Sequence, residues 1–228
     1  MVDRGRTGRR PYAPRMAPEH RREQLLDVAL ELVNSGGVAA VSVDAVAKAA
    51  GVTRPVIYGL FEDANHVLCA LLEREGERAL AQIAAVLPTD FAATDPVETF
   101  TAVARGFFEA VQAAPPRWRS ILLPVDGSPA PVRDYKERGA SMLRDRFAQI
   151  TLGFLAGRPG AECIDVELLA HLLLNAMETG GRLVLTDPDQ FGPERLTRMA
   201  HFLADTLLCR YPAGSSGRAP RTQSDNAH

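Results

Sequence analysis

The stretch covering residues 41–61, VSVDAVAKAAGVTRPVIYGLF, constrains the fold of this chain more than any other. After Ser42, whose hydroxyl can cap free backbone amides, apolar residues recur with the period of an amphipathic helix. Gly51 then allows the left-handed conformation that commonly ends a helix. Thr53 can cap a second helix, and Pro55 lies in its first turn, where a missing amide costs little. The stretch therefore predicts two short helices joined by a tight turn.

Two helices joined by a short turn that contains glycine are typical of the helix-turn-helix, whose second helix lies in the DNA major groove. Its N-terminal residues meet base edges, and here they are Thr53, Arg54, Pro55 and Tyr58. The same pattern also fits an ordinary helical hairpin in a core. In either case we expect four apolar side chains of the second helix to be buried, namely Val56, Ile57, Leu60 and Phe61.

Helices are predicted on both sides of this pair. An apolar stripe predicts a helix over residues 18–34, which gives the pair a third helix and a small core. Asp63 can cap a long fourth helix that ends before Pro88. The charged section over residues 73–78 of that helix is expected to be a solvated face.

The remainder of the chain also has helical periodicity. A helix is predicted over residues 95–113, because Asp95 can cap its start and Pro96 occupies the first helical position. Further helices are predicted over residues 117–123, 131–156, 165–185 and 193–210. No convincing strand and no repeat of fixed period is visible, so the chain is predicted to be all-α with about nine helices.

Charge is distributed unevenly along the chain. Residues 1–22 contain seven arginines and two acids, a net charge of +5, whereas the whole chain has −2 and the rest therefore −7. A basic arm on an acidic body is expected where a protein touches a polyanion at one end. A solvated, disordered tail of no function would have the same composition.

Several other classes of protein are disfavoured by the sequence. Cys69, Cys163 and Cys209 are far apart, without a CxxC pair or a histidine cluster, so we expect neither a disulfide framework nor a metal site. The sequence contains no run of about 18 uncharged apolar residues, so a membrane span is not predicted. The basic N-terminus is not followed by an apolar segment, so a secretory signal is not predicted and a cytoplasmic location is expected.

The chain resembles the TetR (tetracycline-repressor) family of bacterial transcription regulators. The resemblance rests on the run AGVT at residues 50–53 and on Tyr58 followed three positions later by Phe61, and it covers about residues 18–70. It implies a division into a basic arm at 1–16, a helix-turn-helix domain at 17–64, a ligand-binding and dimerisation domain at 65–211 and a disordered tail at 212–228. It also implies a repressor without enzymatic activity or cofactor, which a small apolar or amphipathic ligand releases from its operator.

The resemblance further implies a homodimer through the last two helices, which binds a pseudo-palindromic operator in double-stranded DNA. Thr53 and Tyr58 would contact phosphates, while Arg54, Pro55 and Gly59 would face bases. The full set of expected DNA contacts is Ser42, Val43, Thr53, Arg54, Pro55, Tyr58 and Gly59, with Arg9, Arg10 and Arg15 of the arm. Ala64 stands where the family usually has a phosphate-binding lysine, and our hypothesis is that the arm compensates.

A ligand cavity in the C-terminal domain is likewise implied. The expected lining residues, chosen by type and place, are Phe107, Phe108, Trp118, Met142, Phe147, His171, Asn175 and Glu178. Aromatic residues and methionines at helical spacing usually fill a core, so each of these has an ordinary structural role as its alternative. The last three share one helical face, where they would bind a ligand's polar atoms or hydrogen-bond across a dimer interface.

Two other functions stay open at this point. One is a helical enzyme or small-molecule carrier with an incidental helix-turn-helix, although no common catalytic or nucleotide-binding motif supports it. The other is a nucleoid-type DNA binder with little sequence discrimination, which the acidic body disfavours. The effector, the operator sequence and the sign of regulation do not follow from the residues.

Overall fold

The computed structural model describes residues 16–85, 95–123, 128–155 and 164–209. Within these ranges the chain is all-α, as predicted, with nine α-helices and one 3₁₀ turn at Val38–Ala40. The helices are α1 (Pro18–Gly36), α2 (Val43–Ala50), α3 (Arg54–Tyr58), α4 (Ala64–Ala84), α5 (Pro96–Ala113), α6 (Pro115–Leu122), α7 (Ala130–Leu155), α8 (Val166–Thr186) and α9 (Pro193–Cys209).

Three of the four side-chain caps that the sequence predicts are present, and one further helix has a cap that was not predicted. Ser42 accepts a hydrogen bond from the Ala45 amide at 3.1 Å, and Asp63 accepts from the His66 amide at 2.8 Å. Asp95 accepts from the amides of the residues two and three positions later, at 2.8 and 3.2 Å. Asp165 caps α8 in the same way. These bonds satisfy amides that have no partner inside a helix, which fixes where each helix begins.

The chain divides into two compact units, and the division falls inside α4, between Leu71 and Leu72. The first unit has a core of side chains from α1 to α4, with Leu25, Val46, Ile57 and Val67 fully buried. The Arg22 guanidinium lies 5.1 Å from the centre of the buried Phe61 ring. The predicted burial of Val56 is wrong, because this side chain points away from the core and is exposed.

The second unit contains helices α5 to α9 and the later part of α4. Helix α5 packs against α8 and α9, while α8 also contacts α6 and α7. The largest members of its core are aromatic, and their rings meet edge to face, with the Phe107 centroid 5.4 Å from that of Phe108 and 5.2 Å from that of Trp118. Such pairs stabilise a core beyond the area that they bury.

Helix α8 approaches these rings closely through two consecutive glycines. A Cβ atom at Gly180 would lie 2.6 Å from Cε1 of Phe108, and one at Gly181 would lie 2.7 Å from Cδ1 of Leu122. Real Cβ atoms do not come this close to carbon. The packing of α8 on α5 and α6 therefore requires residues without side chains at both positions.

The charged section of α4, predicted to be a solvated face, is solvated only in part, because two of its charged residues are buried. Glu75 has 1% of its surface exposed and Arg74 has 7%. The Glu75 carboxylate accepts from Arg74 at 2.9 Å through Oε1, and from Arg117 of α6 at 3.0 Å through Oε2. Arg117 also donates to Gln82. A charge can be buried when it is paired and hydrogen-bonded in this way, and the partner on α6 lies far away in the sequence.

The predicted domain limits stay a prediction. Most of the basic arm and the whole C-terminal tail lie outside the described residues, as do Arg9, Arg10 and Arg15.

Candidate nucleic-acid interface

Helices α2 and α3 are joined by a turn whose backbone is set by one glycine. Gly51 has φ +65° and ψ +32°, the left-handed conformation, and its amide is 3.3 Å from the Lys48 carbonyl. The Val52 amide then donates to the Ala47 carbonyl at 2.9 Å. A side chain at Gly51 would be strained in this conformation. The predicted helix, glycine turn and second helix are therefore all present.

Helix α3 is short and begins directly after the turn. Pro55 lies in its first turn, where no intrahelical amide is lost. Thr53 occupies the position before the helix, but its side chain makes no capping hydrogen bond, so the predicted second cap is wrong. The Thr53 hydroxyl is exposed instead and is free to bind another group.

The residues predicted to contact DNA lie mostly on the surface. Ser42, Thr53, Arg54, Pro55, Tyr58 and Gly59 are exposed, and Val43 is half-buried. Ile57, which lies among these residues in the sequence, is fully buried. One face of α3 therefore packs on the core, and the other face is exposed to solvent. This exposed face is large enough to contact another molecule along the whole of α3.

Gly59 has no conformational reason to be glycine. Its φ is −71°, and a Cβ atom there would lie 3.5 Å from the Pro55 carbonyl oxygen, which is an ordinary contact. A larger residue would fit. The absence of a side chain leaves the end of α3 open to close approach.

One ion pair at this surface is not evident from the sequence. Arg54, the first residue of α3, donates from Nε to Oδ1 of Asp44 and from Nη2 to Oδ2, so that the two side chains bridge α2 and α3. These hydrogen bonds, with the positive charge of the guanidinium, hold the pKa of the Asp44 carboxyl below its usual value. The sequence suggests this pair only by an acidic residue near the start of α2 and a basic residue at the start of α3, two helices that a tight turn brings together.

The eight residues predicted to line a ligand cavity differ in burial. Phe107, Phe108 and Trp118 lie together in the core of the second unit. The Trp118 indole N–H is buried, and no acceptor for it lies among the described residues. Met142, His171 and Asn175 are exposed, and nothing is described for the Phe147 side chain.

Glu178 belongs to a polar group between α6, α7 and α8. It accepts a hydrogen bond from Arg182 at 2.9 Å, and Arg182 also donates to the Leu122 carbonyl at 2.9 Å. Lys136 of α7 is half-buried nearby. Burial, and after it the charge of Arg182, lowers the pKa of the Lys136 ammonium. No described carboxylate pairs with Lys136, so an anion would relieve the charge there.

Two kinds of feature are absent from the described parts of the chain. Among these residues, none of the helices combines the length and the apolar character needed to cross a bilayer. Within the same ranges no three histidine, cysteine, aspartate or glutamate side chains are grouped so as to hold a metal ion.

Known proteins were compared with this chain by sequence and by structure. The family model described as bacterial regulatory proteins, tetR family, matches residues 25–68. No curated protein matches the sequence.

Solved structures resemble most of the chain. A TetR-like transcriptional regulator from Rhodococcus sp. RHA1 is 22% identical with a TM-score of 0.67, over 86% of this chain and 99% of the other. The fatty acid degradation regulator FadR from Bacillus halodurans is 18% identical with a TM-score of 0.66, over 86% and 96% of the two chains. FadR from Bacillus subtilis is 17% identical with a TM-score of 0.64, over 80% and 96%.

The family match covers α2, the glycine turn and α3, together with most of α1 and the start of α4. The structural similarity extends over both units. Residues 25–68 thus belong to the tetR family of bacterial regulatory proteins, in a chain that has the fold of solved regulators of that family.

Proposed function

We propose that the protein is a transcriptional repressor that binds a pseudo-palindromic operator as a homodimer and is released by a small amphipathic ligand. The observation that carries this proposal is the exposed face of α3, held beside a capped α2 in the domain that matches the family. The N-terminal end of such a helix fits the major groove. The protein would act in the cytoplasm and without catalysis.

In this proposal Thr53 and Tyr58 contact phosphates, and Arg54, Pro55 and Gly59 face bases. Ser42 and Val43, at the start of α2, lie against the sugar-phosphate backbone of the DNA. Phosphate contacts position the protein, whereas base contacts select the sequence. The arginines of the arm would add further contacts.

The apolar surface of the last two helices supports a dimer. Five large side chains of α8 and α9 are exposed in the single chain, namely Leu168, Leu172, Met199, Phe202 and Leu203. Their spacing puts them on one face of each helix, and exposed apolar faces of this kind usually mark an interaction surface. A two-fold axis would bury each set against its copy and would present two α3 helices to the two halves of an operator.

The DNA-binding proposal is tested by gel shift on the upstream region of the gene, with and without competitor DNA. We expect a specific complex for the parent protein, and a loss of affinity of about tenfold or more for Tyr58→Ala, equivalent to ~1.4 kcal/mol. Tyr58 is exposed, so the variant should fold normally. Ser35→Ala is the control, because this hydroxyl bonds only to carbonyls of its own helix.

Equal binding by the parent and Tyr58→Ala would show that α3 is wrongly assigned. Binding that any competitor removes equally well would favour a nucleoid-type protein instead, and no binding at all would favour an enzyme or carrier.

The polar and aromatic groups of the second unit support an amphipathic ligand with an acidic group. Apolar contact is available from the aromatic core around Trp118, and an anion would be attracted by Lys136 and Arg182. FadR from Bacillus subtilis was solved in complex with stearoyl-CoA, a molecule with both characters. We propose a ligand of this type for the present chain.

Stearoyl-CoA is therefore expected to release the protein from its DNA and to change the fluorescence of Trp118, the single tryptophan. Coenzyme A without an acyl chain is the control, because it has the anionic groups but little apolar surface. Lys136→Met should weaken the response to stearoyl-CoA without weakening DNA binding. Release by both compounds equally, or by neither, would contradict this choice of ligand.

A further inference from the structure

The pair formed by Asp44 and Arg54 has a geometry that leaves one edge of the guanidinium unused. Arg54 donates to the carboxylate through Nε and Nη2, which form the side edge of the group. A guanidinium carries five N–H donors in a rigid plane. The remaining edge, formed by Nη1 and the second N–H of Nη2, has no acceptor among the described residues. Two parallel donors therefore stay available, in a plane that the carboxylate fixes.

The pair also has no net charge at neutral pH. The Asp44 carboxylate is ionised at neutral pH, and its negative charge balances the positive charge of Arg54, to which it is hydrogen-bonded. A phosphate is best bound by an uncompensated cation. The pair is thus better suited to hydrogen-bond recognition of a neutral base than to binding of the DNA backbone.

The base that matches two parallel donors is guanine. Its major-groove edge presents two acceptors, N7 and O6. Adenine presents one acceptor and one donor, so that one N–H of Arg54 would face another donor. Cytosine and thymine each present only one polar group there. Guanine is the single base whose edge satisfies both free donors.

We propose that Arg54 reads a guanine in each operator half-site, and that Asp44 is the positioning residue that holds its guanidinium in place. This proposal rests on the proposed function, in that α3 must lie in the major groove. Both side chains are about 60% exposed, so they are accessible to DNA without rearrangement of the domain. An unpaired Asp44 carboxylate would repel the DNA phosphates, and its ion pair with Arg54 offsets this repulsion.

The test is selection of bound sequences from a random duplex pool by the full chain, for the parent, Arg54→Ala and Asp44→Ala. We expect the parent to enrich guanine at one symmetric position in each half-site. Arg54→Ala should lose the preference at that position alone, by about 5- to 150-fold, the range for a bidentate base contact. Replacing this guanine with 7-deazaguanine, which lacks the N7 acceptor, should weaken the parent and leave Arg54→Ala unaffected.

Asp44→Ala distinguishes positioning from a merely structural role. Without the carboxylate, Arg54 becomes mobile and fully charged, so we expect weaker discrimination at the guanine together with tighter binding to non-specific DNA. A structural defect would weaken both. Glu31→Ala, which removes an exposed carboxylate from α1, is the matched control and should leave both quantities unchanged.

The outcomes separate this inference from the proposed function. If the parent enriches no sequence, the proposed function fails and this inference with it. If the parent enriches an operator but Arg54→Ala gives the same profile, or if Asp44→Ala keeps the full preference for guanine, only the present inference is overturned.

Discussion

Glu75→Ala is expected to lower the free energy of unfolding of the second unit by about 3–5 kcal/mol. The variant removes the carboxylate that accepts hydrogen bonds from Arg74 and Arg117. The two guanidinium groups then remain close together, and only 8% of the Arg74 side chain is exposed to solvent. Removing one member of a buried ion pair costs far more than the pair itself contributes, because the remaining charge is left in a site with little access to water.

Urea unfolding measures this effect, followed by the fluorescence of Trp118, which is buried next to Arg117. Glu77→Ala is the matched control, because Glu77 lies on the same helix but is exposed, and it should change stability by no more than about 0.5 kcal/mol. Glu75→Gln, which keeps the shape and one acceptor oxygen, should be intermediate. If Glu75→Ala and Glu77→Ala unfold at the same urea concentration, the buried network has no energetic importance.

Gly180→Ala is expected to destabilise the second unit by about 1–3 kcal/mol, although alanine is the better helix former. The added Cβ would lie 2.6 Å from Cε1 and 2.8 Å from Cζ of Phe108, and the ring is held by contacts on its other sides. Either the ring or α8 must move, and a close-packed core resists both movements.

Two further variants test the cause of this loss. Gly139→Ala in α7, where a Cβ atom meets nothing within 4 Å, should raise stability by about 0.5–1 kcal/mol through helix propensity alone. In a Phe108→Leu background, which removes the outer ring atoms, most of the penalty of Gly180→Ala should disappear. If the penalty is unchanged there, contact with Phe108 is not its origin.

Two ion pairs show where reasoning from sequence stops. Glu75 lies in a run of alternating charges, which normally predicts a solvated face, and its burial depends on Arg117, which is 42 positions away. Arg54 was expected to face bases, and its pairing with Asp44, ten positions earlier, was not predicted. In both cases the partner comes from another helix, and local periodicity contains no information on that partner.

The sequence by itself determined the helices and the helix-turn-helix. Capping by Ser42, Asp63 and Asp95 depends on residues within a few positions, and the left-handed turn at Gly51 depends on one residue, so a local pattern is sufficient to predict them. Tertiary structure alone decided which charged side chains are buried and which edge of Arg54 remains free. The physical reason is that the free energy of a buried or positioned charge depends on groups that surround it in space, and these are brought together only when the helices pack.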